Sequence, residues 1–218
     1  MISGILFNLD GTLINTLDLY KKVYQYVVQP YVRKPLTAED IHGSKPAPER
    51  EFINRCVPEK EREQAFRRFL RHYSNFHDSH FGGMYEGVRE MLNHLRKQNY
   101  LIGIVTGKSR EAWKITSGKC ALGAFDIIIT DDDVDAYKPS LEGLQMALNG
   151  LKLENAETLY VGDHLNDFRM AREAGAIFAA ALWSKTAEDR ADFKRELEGK
   201  KDVWFLYHPQ ELTQKLEH

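Results

Sequence analysis

Beyond residue 82 the chain alternates short apolar runs with stretches of helical periodicity, and that alternation leaves few folds open. Leu101-Ile102-Gly103-Ile104-Val105, Phe125-Asp126-Ile127-Ile128-Ile129, Leu159-Tyr160-Val161 and Ile177-Phe178-Ala179-Ala180-Ala181 are almost wholly apolar. They lack the in-out alternation of a strand with one wet face, and so read as strands buried on both faces. Val88 to Leu95 repeats at helix spacing, with Met91, Leu92 and Leu95 inward. Further helices are expected from the end of the Val105 strand through Trp113, over 141–148 and over 168–174. Strands separated by helices require right-handed crossovers. The predicted class is therefore α/β: a Rossmann-like parallel sheet with helices on both faces. Towards the carboxyl end, 187–197 is expected to be helical, 203–206 a short edge strand and 209–216 a final helix.

Between about Leu17 and Phe81 the strand-like runs stop. Leu19, Val23, Tyr26 and Val27 recur at helix spacing, as do Phe66, Phe69, Leu70 and Tyr73, with breaks at Lys45-Pro46-Ala47-Pro48 and Val57-Pro58. A chain of 218 residues has room for a core plus such an insertion. The predicted division is an α/β core over 1–16 and 82–215 and an inserted α-helical cap over 17–81. Residues 216–218 resemble the stub of an expression tag and are set apart. Arg67, Arg68 and Arg71 read as a solvated helix face.

The formal net charge of -2 leaves no electrostatic footprint for nucleic acid or an anionic membrane. No apolar stretch is long enough to span a bilayer, and Asn8 and Asp10 interrupt any secretion-signal pattern. Cys56 and Cys120 are isolated thiols without metal spacing, as expected of a reduced, cytosolic protein. His42 and His77 are expected on the surface or on a helix face.

The amino-terminal run Ile5-Leu6-Phe7 ends in Asn8-Leu9-Asp10-Gly11-Thr12-Leu13. Residues two apart on a strand point the same way, so Asn8 and Asp10 both face the carboxyl edge of the sheet, where open α/β sheets bind ligands. Gly11 permits a tight turn whose freed amides can cradle an anion. Three other strand ends are also polar: Thr106-Gly107-Lys108, Lys138-Pro139, and Gly162-Asp163-His164-Leu165-Asn166-Asp167. Each has an ordinary alternative. Thr106 can cap its own loop, Lys138 can be a surface lysine, and Asp163 or Asn166 can be a helix N-cap.

Taken in order, these four stretches resemble the motifs of the haloacid dehalogenase-like phosphohydrolases: Asp-x-Asp-Gly-Thr-Leu, a Thr at a strand end, Lys-Pro, and Gly-Asp-x-x-x-Asp. The resemblance runs from Ile5 to about Trp183, and Tyr85-Glu86-Gly87-Val88 is similar to the phosphoglycolate phosphatase and pyrophosphatase-like branch. It implies that residue 8 attacks phosphorus to form an aspartyl phosphate and that Asp10 acts as general acid and base. It also implies that Thr106 and Lys138 complete the catalytic set, and that Gly11, Thr12, Thr106, Gly107 and Lys138 bind the phosphoryl group. Mg²⁺ would be held by residue 8, Asp10 and Asp163, with Asp167 in support. Lys45 and Arg50, on the loop over the site, are candidate substrate readers; otherwise they are solvated loop charges. The implied partner is a small phosphorylated metabolite, with no nucleic acid and no membrane, and the protein a monomer or weak homodimer. Phosphoglycolate is the first expectation for substrate, followed by pyrophosphate, a nucleoside monophosphate or a sugar phosphate; a mutase is open and a dehalogenase weaker.

One position departs from the pattern. Asn8 stands where the family carries its nucleophilic aspartate, and a neutral amide cannot form the acyl phosphate. The chain as written is expected to bind phosphate esters and turn them over slowly or not at all. An introduced Asp→Asn change that traps substrate, a natural non-catalytic phosphate sensor, and an error in the sequence are the three origins open. Asn15 departs mildly from a position that is often Asp, with no consequence for the catalytic turn.

Overall fold

The computed structural model describes residues 2–37, 40–41 and 47–217. Its centre is a six-stranded sheet, every pairing parallel, in the order β3-β2-β1-β4-β5-β6. The strands are β1 (Gly4–Phe7), β2 (Leu101–Val105), β3 (Ile127–Ile129), β4 (Thr158–Gly162), β5 (Ile177–Ala181) and β6 (Val203–Leu206). β1 is paired on both sides, with Phe7 opposite Ile104 of β2 and Val161 of β4. Its four residues are all buried, which is why its sequence lacks alternation. The strand order reverses between β1 and β4, and such a switch point opens a crevice at the carboxyl ends of the strands.

Two cores flank the sheet. Ile5 and Phe7 face α4 (Val88–Lys97) and α9 (Gln210–Leu216), against Met91, Leu92, Leu95 and Leu212. Leu6 faces the other way, toward Leu144 and Leu148 of α6 (Glu142–Leu151) and Phe168 and Met170 of α7 (Leu165–Ala174). α5 (Arg110–Lys119) joins the first face through Trp113, and α8 (Ala187–Leu197) joins the second through Phe193 and Leu197. The predicted edge strand is β6, at the margin of the sheet. The expected helix ending at Trp113 runs on to Lys119.

A third core belongs to the residues between β1 and α4. α1 (Leu17–Val27), α2 (Glu49–Cys56) and α3 (Arg62–His80) enclose Leu19, Val23, Phe52, Phe66, Phe69 and Tyr73, and Ala112 of α5 closes it from below. The chain leaves the sheet and returns to it at adjacent points. Asn15 N–H donates to Gly83 O, and Gly82 N–H donates to Asn15 O, both at 2.9 Å.

Three details differ from expectation. His77 is buried between Tyr73 and Phe81, because the apolar stripe of α3 continues through it; His42 lies outside the described residues. Leu216 ends α9 and packs on the first core, and the Glu217 carboxylate lies 3.2 Å from His94 Nε2. Residues 216 and 217 thus touch the core they were set apart from, and His218 lies outside the described residues. The residue that caps α7 is His164, not Asp163 or Asn166. Its ring nitrogen accepts from Asn166 N–H while Asp167 accepts from His164 N–H.

Candidate active site

The tight loop after β1 is fixed by its own backbone. Leu13 N–H donates to Leu9 O at 2.8 Å, and Gly11 N–H donates to Ile14 O at 2.9 Å. Gly11 takes φ +78, and a Cβ there would run into the Asp163 carboxylate, so only glycine lets this turn lie against β4. The loop brings Asn8 and Asp10 to the mouth of the switch-point crevice, as their spacing predicted.

The Asn8 amide is fully engaged. Its Nδ2 donates to Asp10 O at 2.9 Å and to Asp163 Oδ1 at 3.0 Å, and its Oδ1 accepts from Lys138 Nζ at 3.0 Å. Lys138 also donates to Asp167 Oδ1 at 2.7 Å, to Tyr160 OH at 3.1 Å and to Val105 O at 3.2 Å. An ammonium has three protons. These four acceptors therefore hold it in one place between Asn8 and the buried Asp167. Burial first, and the Asp167 charge second, push the Tyr160 phenol well above its usual range, so it stays a neutral donor to Val105 O.

Thr106 and Gly107 line the same cleft, with Asn8, Asp10, Gly11 and Lys138; its volume is about 590 Å³, within the range of small-molecule sites. Thr106 Oγ1 accepts from Lys108 N–H at 3.2 Å, which makes the local turn and leaves its proton available to a ligand. Thr12 behaves differently from its expected role in phosphate binding. It is fully buried, and its hydroxyl turns inward to donate to Asp163 Oδ1 at 2.9 Å. Its part is to aim Asp163. Asp167 likewise faces Lys138 and His164 N–H rather than Asp163, which makes it a support for Lys138. Arg50 does not line the cleft. Its guanidinium stacks 3.6 Å from the Phe66 ring centroid and reaches Glu63, so an aromatic face and a carboxylate of α3 hold it. Lys45 lies outside the described residues.

Two hard oxygens, Asp163 Oδ1 and Asp10 O, converge within 3.0 Å of one point, a donor arrangement suited to a cation such as Mg²⁺. That point is filled by the Asn8 N–H group. As the chain stands, residue 8 offers protons where an ion needs an oxygen, and the set is not completed. No cluster of three or more His, Cys, Asp or Glu side chains able to hold a metal occurs among the described residues.

Several groups in the cleft wall carry no sequence expectation. Lys108 is buried, with its Nζ 2.7 Å from Tyr20 OH, 2.9 Å from Tyr73 OH, 3.2 Å from Asp10 Oδ1 and 3.7 Å from Glu49 Oε1. Burial opposes its charge, but Asp10, then Tyr73 and Glu49, outweigh that and hold the proton more firmly than in a free lysine. Burial raises the Glu49 carboxyl, and Lys108 and Ser109 pull it back. Lys185 Nζ stands 3.9 Å from Asp163 Oδ2. The one signal for Lys108 was its place directly after Thr106-Gly107 at a strand end.

Residues 5–181 match the family model for the haloacid dehalogenase-like hydrolases. The chain belongs to that family. The pyrophosphatase PpaX of Bacillus thuringiensis (strain Al Hakam) is 33% identical over 190 residues, 84% of either protein. Among solved structures, a putative phosphoglycolate phosphatase from Lactobacillus plantarum superposes with a TM-score of 0.80 at 20% identity, covering 98% of this chain and 99% of the other. CbbY from Rhodobacter sphaeroides, solved in complex with phosphate, gives a TM-score of 0.78 at 19% identity, covering 97% and 96%. These two carry the fold, and the curated relative carries the branch. This haloacid dehalogenase-like hydrolase is an enzyme of the phosphatase type.

Proposed function

We propose that the chain is the scaffold of a Mg²⁺-dependent phosphatase for small phosphate monoesters, disabled at its nucleophile. The observation that carries this is the meeting of residue 8, Asp10, Lys138 and Asp163 at one switch point, where Asn8 donates to Asp10 O and Asp163 and accepts from Lys138, each at 3.0 Å or less. With aspartate at position 8, its carboxylate attacks phosphorus in line while Lys138 holds its second oxygen. The scissile P–O electron pair leaves with the departing oxygen, which takes a proton from Asp10. Asp10 then removes a proton from a water that attacks phosphorus of the aspartyl phosphate, and the bond from phosphorus to the carboxylate oxygen breaks to release inorganic phosphate. Thr106 and the amide of Gly107 hold the phosphoryl oxygens, while the expected Gly11 amide is spent on Ile14 O within its own turn. Asp163, Asp10 O and an aspartate at 8 would hold Mg²⁺, which supplies shielding of the phosphate charge.

In this reading residues 17–81 are a cap that closes the cleft over the substrate, and the paired backbone at Asn15 and Gly82-Gly83 is its hinge. Phosphoglycolate remains the preferred substrate, with pyrophosphate beside it because of the relative that shares a third of its residues. The cytosol is the expected compartment, in keeping with two unpaired thiols. A second reading, a phosphate-ligand binder without turnover, is favoured by the Asn8 amide alone, since Asp10 O and Asp163 take its two protons and Lys138 donates to its oxygen.

The test is phosphate release from a panel of small esters and pyrophosphate with Mg²⁺, run on the chain and on Asn8→Asp. Turnover by the variant alone supports the enzyme reading and ranks substrates. Silence from both, with phosphate still bound, supports the binder. Equal activity in both overturns the role of position 8.

A further inference from the structure

Three helices of the 17–80 segment, α1, α2 and α3, each send one side chain to the same buried ammonium. Tyr20 comes from α1, Glu49 from α2 and Tyr73 from α3, and all meet at Lys108, which the core supplies from the loop after β2. Tyr20 OH accepts from Lys108 and donates to Glu49 Oε1 at 2.5 Å. Glu49 Oε2 accepts from Ser109 N–H at 3.1 Å and from the Ser109 hydroxyl. Tyr73 OH also shares a proton with Thr116 Oγ1 of α5 at 2.8 Å. The fourth neighbour of the ammonium is Asp10 Oδ1, at 3.2 Å, and that same oxygen accepts from Thr16 Oγ1 at 2.7 Å.

Three protons on Lys108 face two phenols of the helical segment and one carboxylate of the core. With the segment docked, the lysine stem is fully buried, its head is fixed from three sides, and it presents one N–H to Asp10. With the segment lifted away, Tyr20, Tyr73 and Glu49 go with it. A four-carbon stem then carries an ammonium free to rotate into water, and Asp10 keeps only Thr16.

We propose that Lys108 is a positioning residue for Asp10, and that the helical segment controls it: Tyr20, Tyr73 and Glu49 aim Lys108 at Asp10 only when the segment is seated on the core. The inference rests on the phosphatase reading, in which Asp10 hands a proton to the leaving oxygen. Asp10 is therefore held in one orientation toward the leaving oxygen in the closed state alone, and an open cleft hydrolyses poorly even when phosphate is bound.

A merely structural role for Lys108 would lower activity on every ester alike. A role through the general acid depends on how much the leaving oxygen needs a proton. The experiment therefore compares an alkyl phosphate monoester, whose alkoxide leaves badly unprotonated, with p-nitrophenyl phosphate, whose phenolate leaves well. Both are assayed as kcat/KM, which reports steps through phosphoryl transfer. The parent is the Asn8→Asp chain with Mg²⁺. Lys108→Met in that parent should cut kcat/KM for the alkyl ester by about a hundredfold or more, the usual worth of a positioned acid, and for the nitrophenyl ester by less than about tenfold. Glu49→Gln should give the same skew in smaller size; it keeps its shape and serves if Lys108→Met does not fold, as a thermal melt reports. Equal losses on both esters, or no loss, overturn the inference while leaving the phosphatase reading intact. A parent that hydrolyses neither ester removes the phosphatase reading, and this inference with it.

Discussion

Asn8→Asp should make the protein depend on a divalent cation for its stability, and the structure gives the size of the effect. The new carboxylate puts an oxygen where Nδ2 now sits, 3.0 Å from Asp163 Oδ1. At an effective dielectric of about 20, two unit charges at that distance repel by about 5 kcal/mol. Lys138 Nζ, 3.0 Å from the other oxygen, returns an attraction of the same size, so the charges cancel to first order. What is left is the loss of two donated hydrogen bonds, to Asp10 O and to Asp163, each worth about 1–1.5 kcal/mol. The metal-free variant should therefore be about 2–3 kcal/mol less stable. For a chain of this size each kcal/mol moves Tm by about 2–4 °C, so the drop is about 4–12 °C. A divalent ion between the same oxygens restores the missing positive partner. The assay is a pair of thermal melts, each in EDTA and in millimolar Mg²⁺. The variant should melt low in EDTA and recover in Mg²⁺, while the Asn8 chain should barely respond. A variant as stable as its parent in EDTA, or a parent that gains equally from Mg²⁺, would refute the reasoning.

Two other outcomes follow from buried carboxyls. Burial, then the neighbouring Asp132 and Glu49, raise Asp131 to about 7, so the folded protein holds a proton there that the unfolded chain has released. Stability should fall as pH rises from the ordinary carboxylate range to about 7, and Asp131→Asn should remove that loss. Tm against pH checks this: the variant gains on its parent only above about pH 4, and a gap that does not change with pH contradicts it. Lys138→Met strands Asp167, whose side chain is 2% exposed, and should cost about 3–5 kcal/mol. Denaturant melts should show most of that returned when Asp167→Asn is added, and no recovery would mean Asp167 is not what Lys138 neutralises.

The sheet was legible because burial on both faces imposes unbroken apolar runs, and β2, β5 and β6 fall where those runs lie. The strand ends were legible because polar residues after such runs have nowhere to go but the carboxyl edge. Side-chain direction inside the tight loops was not. Thr12 turns inward because Asp163 arrives from a strand far along the chain, and no local spacing encodes that approach. His164 takes the cap of α7 because its ring reaches Asn166 N–H, leaving Asp163 to the cleft. Lys108 and Glu49 were hidden for a related reason. Each is charged and locally unremarkable, and burial becomes tolerable only when helices from both halves of the chain supply the oxygens.

The backbone pairing at Asn15 and Gly82-Gly83 has a consequence for how such a protein diversifies. Because the chain departs and returns at touching residues, the sheet registers nothing of what lies between: a long excursion, a short one or a different fold would close the same two hydrogen bonds. Closing a loop grows costlier only slowly with its length. The insertion can therefore be exchanged as a module while the sheet and its strand ends stay as they are, provided the replacement again delivers oxygens to the lysine beneath it.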